Sequence, residues 1–154
     1  RLRTKSHVTK IDVSSTPSVF LWFNPEKMNA PGSYIAKWIM CFSSHQHIIE
    51  CRRKNYQYLF DNLKNQANAH PLYALTDETV PYMFPLVINN PAQQFVVLKK
   101  QGVPMWRWEE LAESDCENSQ YYRTHLLHLP CHQSLSRSEL DWIISCVVDT
   151  LSKH

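Results

Sequence analysis

Glycine is scarce in this 154-residue chain, which contains 2 glycines against 9 prolines and 5 tryptophans. Two glycines are too few for a glycine-rich phosphate loop or a dinucleotide-binding fingerprint, because each motif needs several glycines in one turn. An excess of one charge is also lacking, since 16 Lys and Arg are balanced by 14 Asp and Glu to a formal net charge of +2. This balance argues against a dedicated nucleic-acid-binding domain, which concentrates basic residues on one face.

Long apolar runs and paired cysteines are lacking as well. No stretch approaches the ~20 apolar residues of a membrane span, and no apolar core of a signal peptide follows the basic residues 1–10. The 5 cysteines are widely spaced and form no Cys-x-x-Cys pair, which disfavours a zinc ribbon and is typical of thiols in a reducing compartment. We therefore expect a cytoplasmic protein with no membrane partner. The first residue is Arg1, which predicts that the chain was cut from a longer one.

The chain does contain enough apolar sequence for a core, with 44% hydrophobic residues. Its length favours one domain of ordinary size. Residues 1–18 are polar and residues 24–32 contain two prolines, so an N-terminal arm or linker is predicted over residues 1–32. The domain itself is predicted to span residues 33–154.

Apolar periodicity and capping residues predict four helices. They begin at Ser33, at about residue 46 (running to about residue 67), at Asn90-Pro91 and at Ser136. Gln93 is the expected capping partner of the third helix, and Gly102 is its expected C-terminal residue. The fourth helix has a capping box with Glu139. It also has the clearest apolar stripe: Leu140, Ile143, Ile144, Val147 and Leu151.

Strand signals fall between these helices. Residues 80–88 are β-like, and Pro81 and Pro85 within them predict an edge or kinked strand. Residues 103–108 and 126–129 predict two further short strands. The resulting order of elements predicts an α+β fold, in which helices cover a small, mostly antiparallel sheet.

The densest group of possible metal ligands is His125, His128, Cys131 and His132. If residues 125–129 form a strand, His125 and His128 point to opposite faces, which is poor geometry for zinc. Adjacent side chains seldom meet, so Cys131-His132 is a weak candidate for a thiolate and its base. We expect no metal site here and a buried, structural Cys131.

The segment Trp106-Arg107-Trp108 has two interpretations. An arginine between two indoles could hold an anionic or sugar ligand by charge and stacking. Alternatively, both tryptophans pack on the core and Arg107 lies outside. The basic run at residues 52–54 is interpreted as a solvated helix face. No paired carboxylates are spaced for acid–base catalysis, so the residues alone give no complete catalytic set.

Four segments, taken in order, resemble a known family. They are residues 34–38 (Tyr-Ile-Ala-Lys-Trp) with 52–56 (Arg-Arg-Lys-Asn-Tyr), residues 80–86 (Val-Pro-Tyr-Met-Phe-Pro-Leu), the stretch from Phe95 through Gly102-Val-Pro to 106–110 (Trp-Arg-Trp-Glu-Glu), and residues 129–136 (Leu-Pro-Cys-His-Gln-Ser-Leu-Ser). Over about residues 33–152 the chain resembles the C-terminal domain of DegT/DnrJ/EryC1/StrS-type aminotransferases. These are pyridoxal-phosphate enzymes of the aspartate-aminotransferase fold, fold type I.

The resemblance implies a domain of a dimeric enzyme that transfers an amino group to a keto-sugar or similar carbonyl, in the biosynthesis of cell-surface polysaccharides. It implies that pyridoxal phosphate is held by a large N-terminal domain of the same protein. That domain's cofactor motifs are not visible, and Lys5 and Lys10 do not lie in the family's lysine context. The chain alone is therefore expected to be inactive and to bind no cofactor. The resemblance also implies that Arg107, Trp108 and His132 face the substrate.

Two alternatives stay open. One is a stand-alone, non-catalytic module derived from that domain, which binds a ligand or a partner. The other is an independent thiol or metal enzyme built on Cys131 and the nearby histidines. If the chain is a domain without its neighbour, some of its tryptophans should be exposed on the face that packed on that neighbour. Trp22 and Trp38 are the candidates.

Overall fold

A computed structural model of the chain describes residue 26 and residues 28–107 and 115–153. These residues form five helices and three strands. The elements are α1 (Tyr34–Phe42), α2 (His45–Leu63), β1 (Ala69–Pro71), β2 (Met83–Ile88), α3 (Pro91–Lys100), α4 (Glu117–His125), β3 (Leu126–Pro130) and α5 (Arg137–Lys153). The architecture is α+β with a small antiparallel sheet, as the sequence predicts. None of these helices is long and apolar enough to cross a membrane.

The chain divides into two units, Arg1–Ser43 and Ser44–His154. In the first unit, α1 begins at the predicted cap, where the Ser33 hydroxyl accepts a hydrogen bond from the Ile35 N–H at 3.2 Å. No side chain of α1 is buried, and Trp38 is 65% exposed. Trp22 lies outside the described residues. The proposed boundary between an arm over 1–32 and a domain over 33–154 stays a prediction.

The second unit is built on a sheet with the strand order β1-β2-β3. Phe84 of β2 lies opposite Leu129 of β3, and Leu86 lies opposite Leu127. These side chains are buried in one core with apolar residues of α2, α3 and α5. Because alternate strand residues point to opposite faces, Met83 and Pro85 of β2 lie on the other face.

The edge-strand prediction for β2 is wrong, because β2 is the central strand. Its proline is tolerated for a local reason. The register of β1 with β2 places Leu72 opposite Pro85, and the Leu72 N–H donates to the Pro85 carbonyl at 3.0 Å. The N–H that proline lacks would point to the same side, where β1 has already ended at Pro71. The missing donor therefore costs only the return bond of this last pair and leaves the pairing of Pro85 with His128 of β3 in place.

The sequence analysis does not predict β1 or α4, and it places the end of α2 too far along the chain. β1 has only three residues, too few for an alternating pattern, and α4 has no buried residue and so no apolar stripe. α2 ends at Leu63 rather than near residue 67, since Ala69 already pairs with Ile88 in the sheet. The strand predicted over residues 126–129 is confirmed as β3, and His125 lies just before it as the last residue of α4.

Both ends of α3 have the residues that the sequence predicts for them. Asn90 precedes Pro91, the first helical residue. The predicted partner Gln93 bonds the Asn90 side chain, since Asn90 Nδ2 donates to Gln93 Oε1 at 3.1 Å. The Asn90 N–H donates to the side-chain carbonyl of Gln94, also at 3.1 Å. Gly102 follows the helix at φ +83°, a conformation that favours glycine because it has no Cβ.

The last helix, α5, has the predicted capping box. The Ser136 N–H donates to Glu139 Oε2 at 2.7 Å, and the Glu139 N–H donates to Ser136 Oγ at 3.3 Å. Ile143 is 1% exposed, whereas Ile144 of the predicted stripe is only half-buried. Thr150 is buried as well, and its hydroxyl donates to the Cys146 carbonyl.

Replacing Ile143 by alanine should lower the free energy of unfolding by roughly 2–5 kcal/mol, because it leaves a cavity in the core under the sheet. Urea unfolding at neutral pH measures this change. Ile144→Ala is the matched control on the same helix, and it should cost less because its side chain is already partly hydrated. Equal losses for the two variants would contradict this assignment of the core.

A candidate binding groove on the second face of the sheet

A half-open groove of about 640 Å³ lies in the second unit. Its floor comes from the sheet face opposite the core, with Met83 and Pro85 of β2 and Leu126 and His128 of β3. These four residues alternate along their strands with core-facing residues, which is why they share one face. Tyr56 of α2 and the loop over residues 72–82 supply one wall, and Trp106 supplies another.

Two arginines of α2 hold the loop wall in place. Arg53 Nη1 donates to the carbonyls of Thr76 and Thr79, at 2.8 and 2.5 Å. Arg52 Nη1 donates to the Pro81 carbonyl at 3.4 Å. Both arginines are partly buried, so the interpretation of residues 52–54 as a solvated helix face is wrong for these two. Only Lys54 is exposed.

A tyrosine attaches the start of the same loop. The Tyr56 hydroxyl donates to the Tyr73 carbonyl at 2.8 Å. Burial, and to a smaller extent the neighbouring Cys131, raises the pKa of Tyr56, so the phenol keeps the proton that it donates. Together with the arginines, this bond anchors the loop at both ends and in the middle.

Trp106 joins the sheet by a single antiparallel bridge. Its N–H donates to the His128 carbonyl at 3.2 Å, and the His128 N–H donates to the Trp106 carbonyl at 2.9 Å. The indole is 56% exposed at the edge of the groove. His128 is half-buried, and burial lowers its pKa below the ordinary value, so the imidazole is neutral at pH 7.

No Asp, Glu, Lys or Arg is among the described residues that line the groove. Their polar groups are tyrosine and threonine hydroxyls, the His128 imidazole, the Trp106 indole N–H and the main chain. Such a lining combines apolar and aromatic contact with a few directional hydrogen bonds. The described part of the lining is therefore suited to binding a ligand.

The structure contradicts the interpretation in which Trp106 packs on the core and Arg107 lies outside. Arg107 is half-buried, and its guanidinium carbon lies 3.5 Å from the centroid of the Phe95 ring on α3. Burial lowers the pKa of Arg107. Trp106 is exposed, not buried in the core. Trp108 lies outside the described residues.

His132 has different neighbours from Arg107. Its Nδ1 lies 2.7 Å from Ser134 Oγ, and its carbonyl accepts from Asn55 Nδ2 of α2 at 2.8 Å. It is not among the residues that line the groove. The role of Arg107, Trp108 and His132 in facing a substrate stays a prediction.

The cluster of histidines and Cys131 does not support a thiol enzyme. Cys131 is fully buried, its Sγ lies 3.8 Å from the Pro81 carbonyl, and burial raises its pKa to about 11. A thiol with this pKa has almost no thiolate at neutral pH, and the thiolate is the nucleophile. Among the residues that the structure describes, no three His, Cys, Asp or Glu are grouped to hold a metal ion.

The described residues do not fit pyridoxal phosphate. Every described lysine, from Lys37 to Lys153, is exposed, and none lines the groove. A lysine that forms a Schiff base needs desolvation or a cationic neighbour. The groove also offers no cation to a phosphate group. We therefore assign no cofactor chemistry to these residues.

Comparison with known proteins gives structural matches only. No family model and no curated protein matches the chain. The aminotransferase TlmJ from Streptoalloteichus hindustanus matches 70% of this chain with 33% of its own, at 18% identity and a TM-score of 0.62. Helicobacter pylori PseC, an aminotransferase involved in pseudoaminic acid biosynthesis, matches 71% with 34% of its own, at 15% identity and a TM-score of 0.61.

A third match is DesV from S. venezuelae, solved with a ketimine intermediate, at 12% identity and a TM-score of 0.59 over 69% of this chain. The chain shares a fold with part of each of these three proteins. It spans about a third of the length of the structures it matches, since 32% to 34% of each is covered. At this level of identity the likeness establishes the fold and not the activity.

Sequence reasoning missed the groove because its walls come from a loop. The loop residues Tyr73 and Tyr82 belong to no periodic pattern. In the sequence, Pro81 indicates only the disruption of a strand. One signal was available: the adjacent Arg52 and Arg53 on the polar side of a helix are typical of groups that bind main-chain carbonyls as well as solvent.

We expect Cys131 to resist thiol reagents in the folded chain. Its sulfur is buried and protonated, whereas Cys41 and Cys116 are exposed. Timed labelling with a chromogenic disulfide at pH 8, read by peptide mapping, should modify the exposed thiols first and Cys131 only after unfolding. Labelling of Cys131 as fast as Cys116 would show that the thiol is accessible and reactive.

Proposed function

We propose that this chain serves as the C-terminal domain of a fold-type I, pyridoxal-phosphate-dependent aminotransferase of the DegT/DnrJ/EryC1/StrS type. The observation that carries the proposal is the shared fold, which extends over about 70% of the chain in the aminotransferases TlmJ and PseC and over 68% in the sugar aminotransferase CalS13 from Micromonospora echinospora. The four sequence segments described above point to the same family. The amino acceptor in this proposal is a keto-sugar or a similar carbonyl compound.

The cofactor in this proposal belongs to a separate N-terminal domain. Structures that share the fold include a dehydratase with a trapped PLP-glutamate adduct and a sugar aminotransferase in its PMP form. The described residues of this chain supply neither a buried lysine nor a phosphate site. The chain would contribute a rigid sheet and substrate-facing groups, for which Arg107, Trp108 and His132 are our candidates.

Arg107 is the best supported of these candidates. Stacking on Phe95 holds its guanidinium in one place, and partial burial limits competition from water. A fixed arginine is suited to an anionic group such as the phosphate of a sugar nucleotide. The whole enzyme would be a homodimer in the cytoplasm.

Sequencing the transcript on the 5′ side of the Arg1 codon tests the proposal. The expected result is a continuous reading frame of several hundred codons that encodes a lysine after a predicted strand. An initiator methionine directly before Arg1, with a stop codon upstream, would overturn it and would favour the stand-alone module.

The isolated chain should bind pyridoxal phosphate weakly or not at all. The reason is that its described lysines are exposed and that no Lys or Arg is among the described residues that line the groove. Visible spectra of the purified chain mixed with the cofactor, followed by borohydride reduction and mass spectrometry, measure this. A stoichiometric adduct fixed to one lysine would contradict the assignment of the cofactor site to another domain.

The isolated chain should also self-associate through α1. Six large apolar side chains of this helix are exposed, and the Trp38 and Phe42 rings contact each other with centroids 4.6 Å apart. Exposed apolar patches of this kind mark interaction sites. Sedimentation over a concentration series should show association that Trp38→Gln weakens, whereas Trp142→Gln on α5 should not. A strict monomer at high concentration would contradict this.

The stand-alone binding module is the second candidate, and the groove favours it. The described residues that line the groove all belong to the second unit, and hydrogen bonds within that unit hold the loop wall in place. It needs no cofactor domain to exist.

A further inference from the structure

We propose that the groove over β2 and β3 is a binding site for an uncharged, mainly apolar small molecule with a flat ring. The proposal concerns this chain's own residues and does not rest on the aminotransferase assignment. It stands on the size of the groove, on its fixed walls, on the charge of its lining and on the aromatic side chains at its rim.

The size of the groove fits a small molecule. Its volume of about 640 Å³ lies within the range of about 300–1,000 Å³ that ligand pockets occupy. Floor residues such as Pro85 and Leu126 are apolar, and His128 supplies one neutral ring among them. A ligand lying on this floor would contact two strands at once.

The walls are fixed before any ligand arrives. Arg53 binds the carbonyls of Thr76 and Thr79, Arg52 binds the Pro81 carbonyl, and Tyr56 binds the Tyr73 carbonyl. A loop held at four carbonyls loses little further freedom on binding. Pre-organisation of this kind improves affinity because less ordering remains to be done.

The charge of the lining selects against ions. An anion or cation that entered the groove would lose hydration without meeting an opposite charge among the described residues that line it, which is unfavourable. Arg52 and Arg53 are not among the described residues that line the groove, and both are engaged elsewhere. Arg52 donates to the Gln133 side chain and the Pro81 carbonyl, with its guanidinium carbon 5.9 Å from the centroid of the Tyr82 ring. Arg53 donates to the carbonyls of Thr76 and Thr79 and lies 3.9 Å from the Asp77 carboxylate. The preferred ligand is therefore neutral.

Three exposed aromatic side chains at the rim explain the preference for a flat ring. Tyr73, Tyr82 and Trp106 line the groove, and each is more than half exposed. Rings of this kind stack on a planar ligand with little loss of side-chain freedom. The indole N–H of Trp106 and the phenol groups can also donate a hydrogen bond to a carbonyl or ether oxygen.

Two fluorescent probes of similar shape and different charge test the proposal. They are N-phenyl-1-naphthylamine, which is neutral, and 1-anilinonaphthalene-8-sulfonate, which is anionic. Titration of the purified chain, at concentrations below any self-association, should give saturable binding of one neutral probe per chain. The neutral probe should bind at least about tenfold tighter than the sulfonate.

Three tryptophan variants locate the probe. Trp106→Ser should weaken binding about tenfold, because it removes one rim ring while the main-chain bridge to His128 is retained. Trp142→Ser on α5 is the matched control: this side chain is 44% exposed, lies outside the groove and should leave affinity unchanged. Trp38→Ser should also leave it unchanged, which separates the groove from the exposed apolar face of α1.

Circular dichroism of each variant checks that it is folded, and Tyr82→Ser provides a second rim variant at an exposed position. Loss of binding in Trp38→Ser with full binding in Trp106→Ser and Tyr82→Ser would put the probe on α1 and overturn the proposal. Equal affinity for the two probes, or no saturable binding of the neutral one, would overturn it as well. None of these results depends on whether an N-terminal cofactor domain exists.

Discussion

The antiparallel pairing of β2 with β3 is the interaction on which the rest of the second unit depends. Its register brings Phe84 opposite Leu129 and Pro85 opposite His128. The first pair lies in the core under α2 and α5, and the second lies on the floor of the groove. A shift of one residue would exchange the two faces and would put the histidine into the core. The same ladder therefore fixes both the stability of the unit and the position of its binding surface.

Helix α2 links these two faces. Its apolar side, with Leu59 and Leu63, is buried in the core. Its polar side carries Arg52 and Arg53 to the loop that walls the groove. Because one rigid helix makes both sets of contacts, the groove wall is positioned by the same packing that stabilises the core. The groove is thus a property of the folded unit and not of a separately ordered loop.

The sequence predicts the parts of this fold that local chemistry determines. The caps at Ser33 and Ser136, the proline start of α3 and the glycine after it follow from short-range hydrogen bonding and φ preferences. The features that the sequence does not predict depend on contacts between segments that are far apart in the chain. The central place of β2 could not be inferred, because the cost of Pro85 depends on where β1 ends. The groove could not be inferred either, since it needs Tyr73, Trp106 and His128 brought together from three segments.

The contacts between α2 and the loop have a consequence for how the groove can vary. Arg53, Arg52 and Tyr56 all bind main-chain oxygens of the loop, which every amino acid possesses. These bonds do not depend on which side chains the loop carries, whereas the Arg53–Asp77 ion pair and the contact between the Thr76 and Thr79 hydroxyls do. Tyr73 and Val80 line the groove, so exchanging them would change the surface that a ligand meets. The frame of the groove and its preference for a ligand are thus separable, and selection or design can change the second without rebuilding the first.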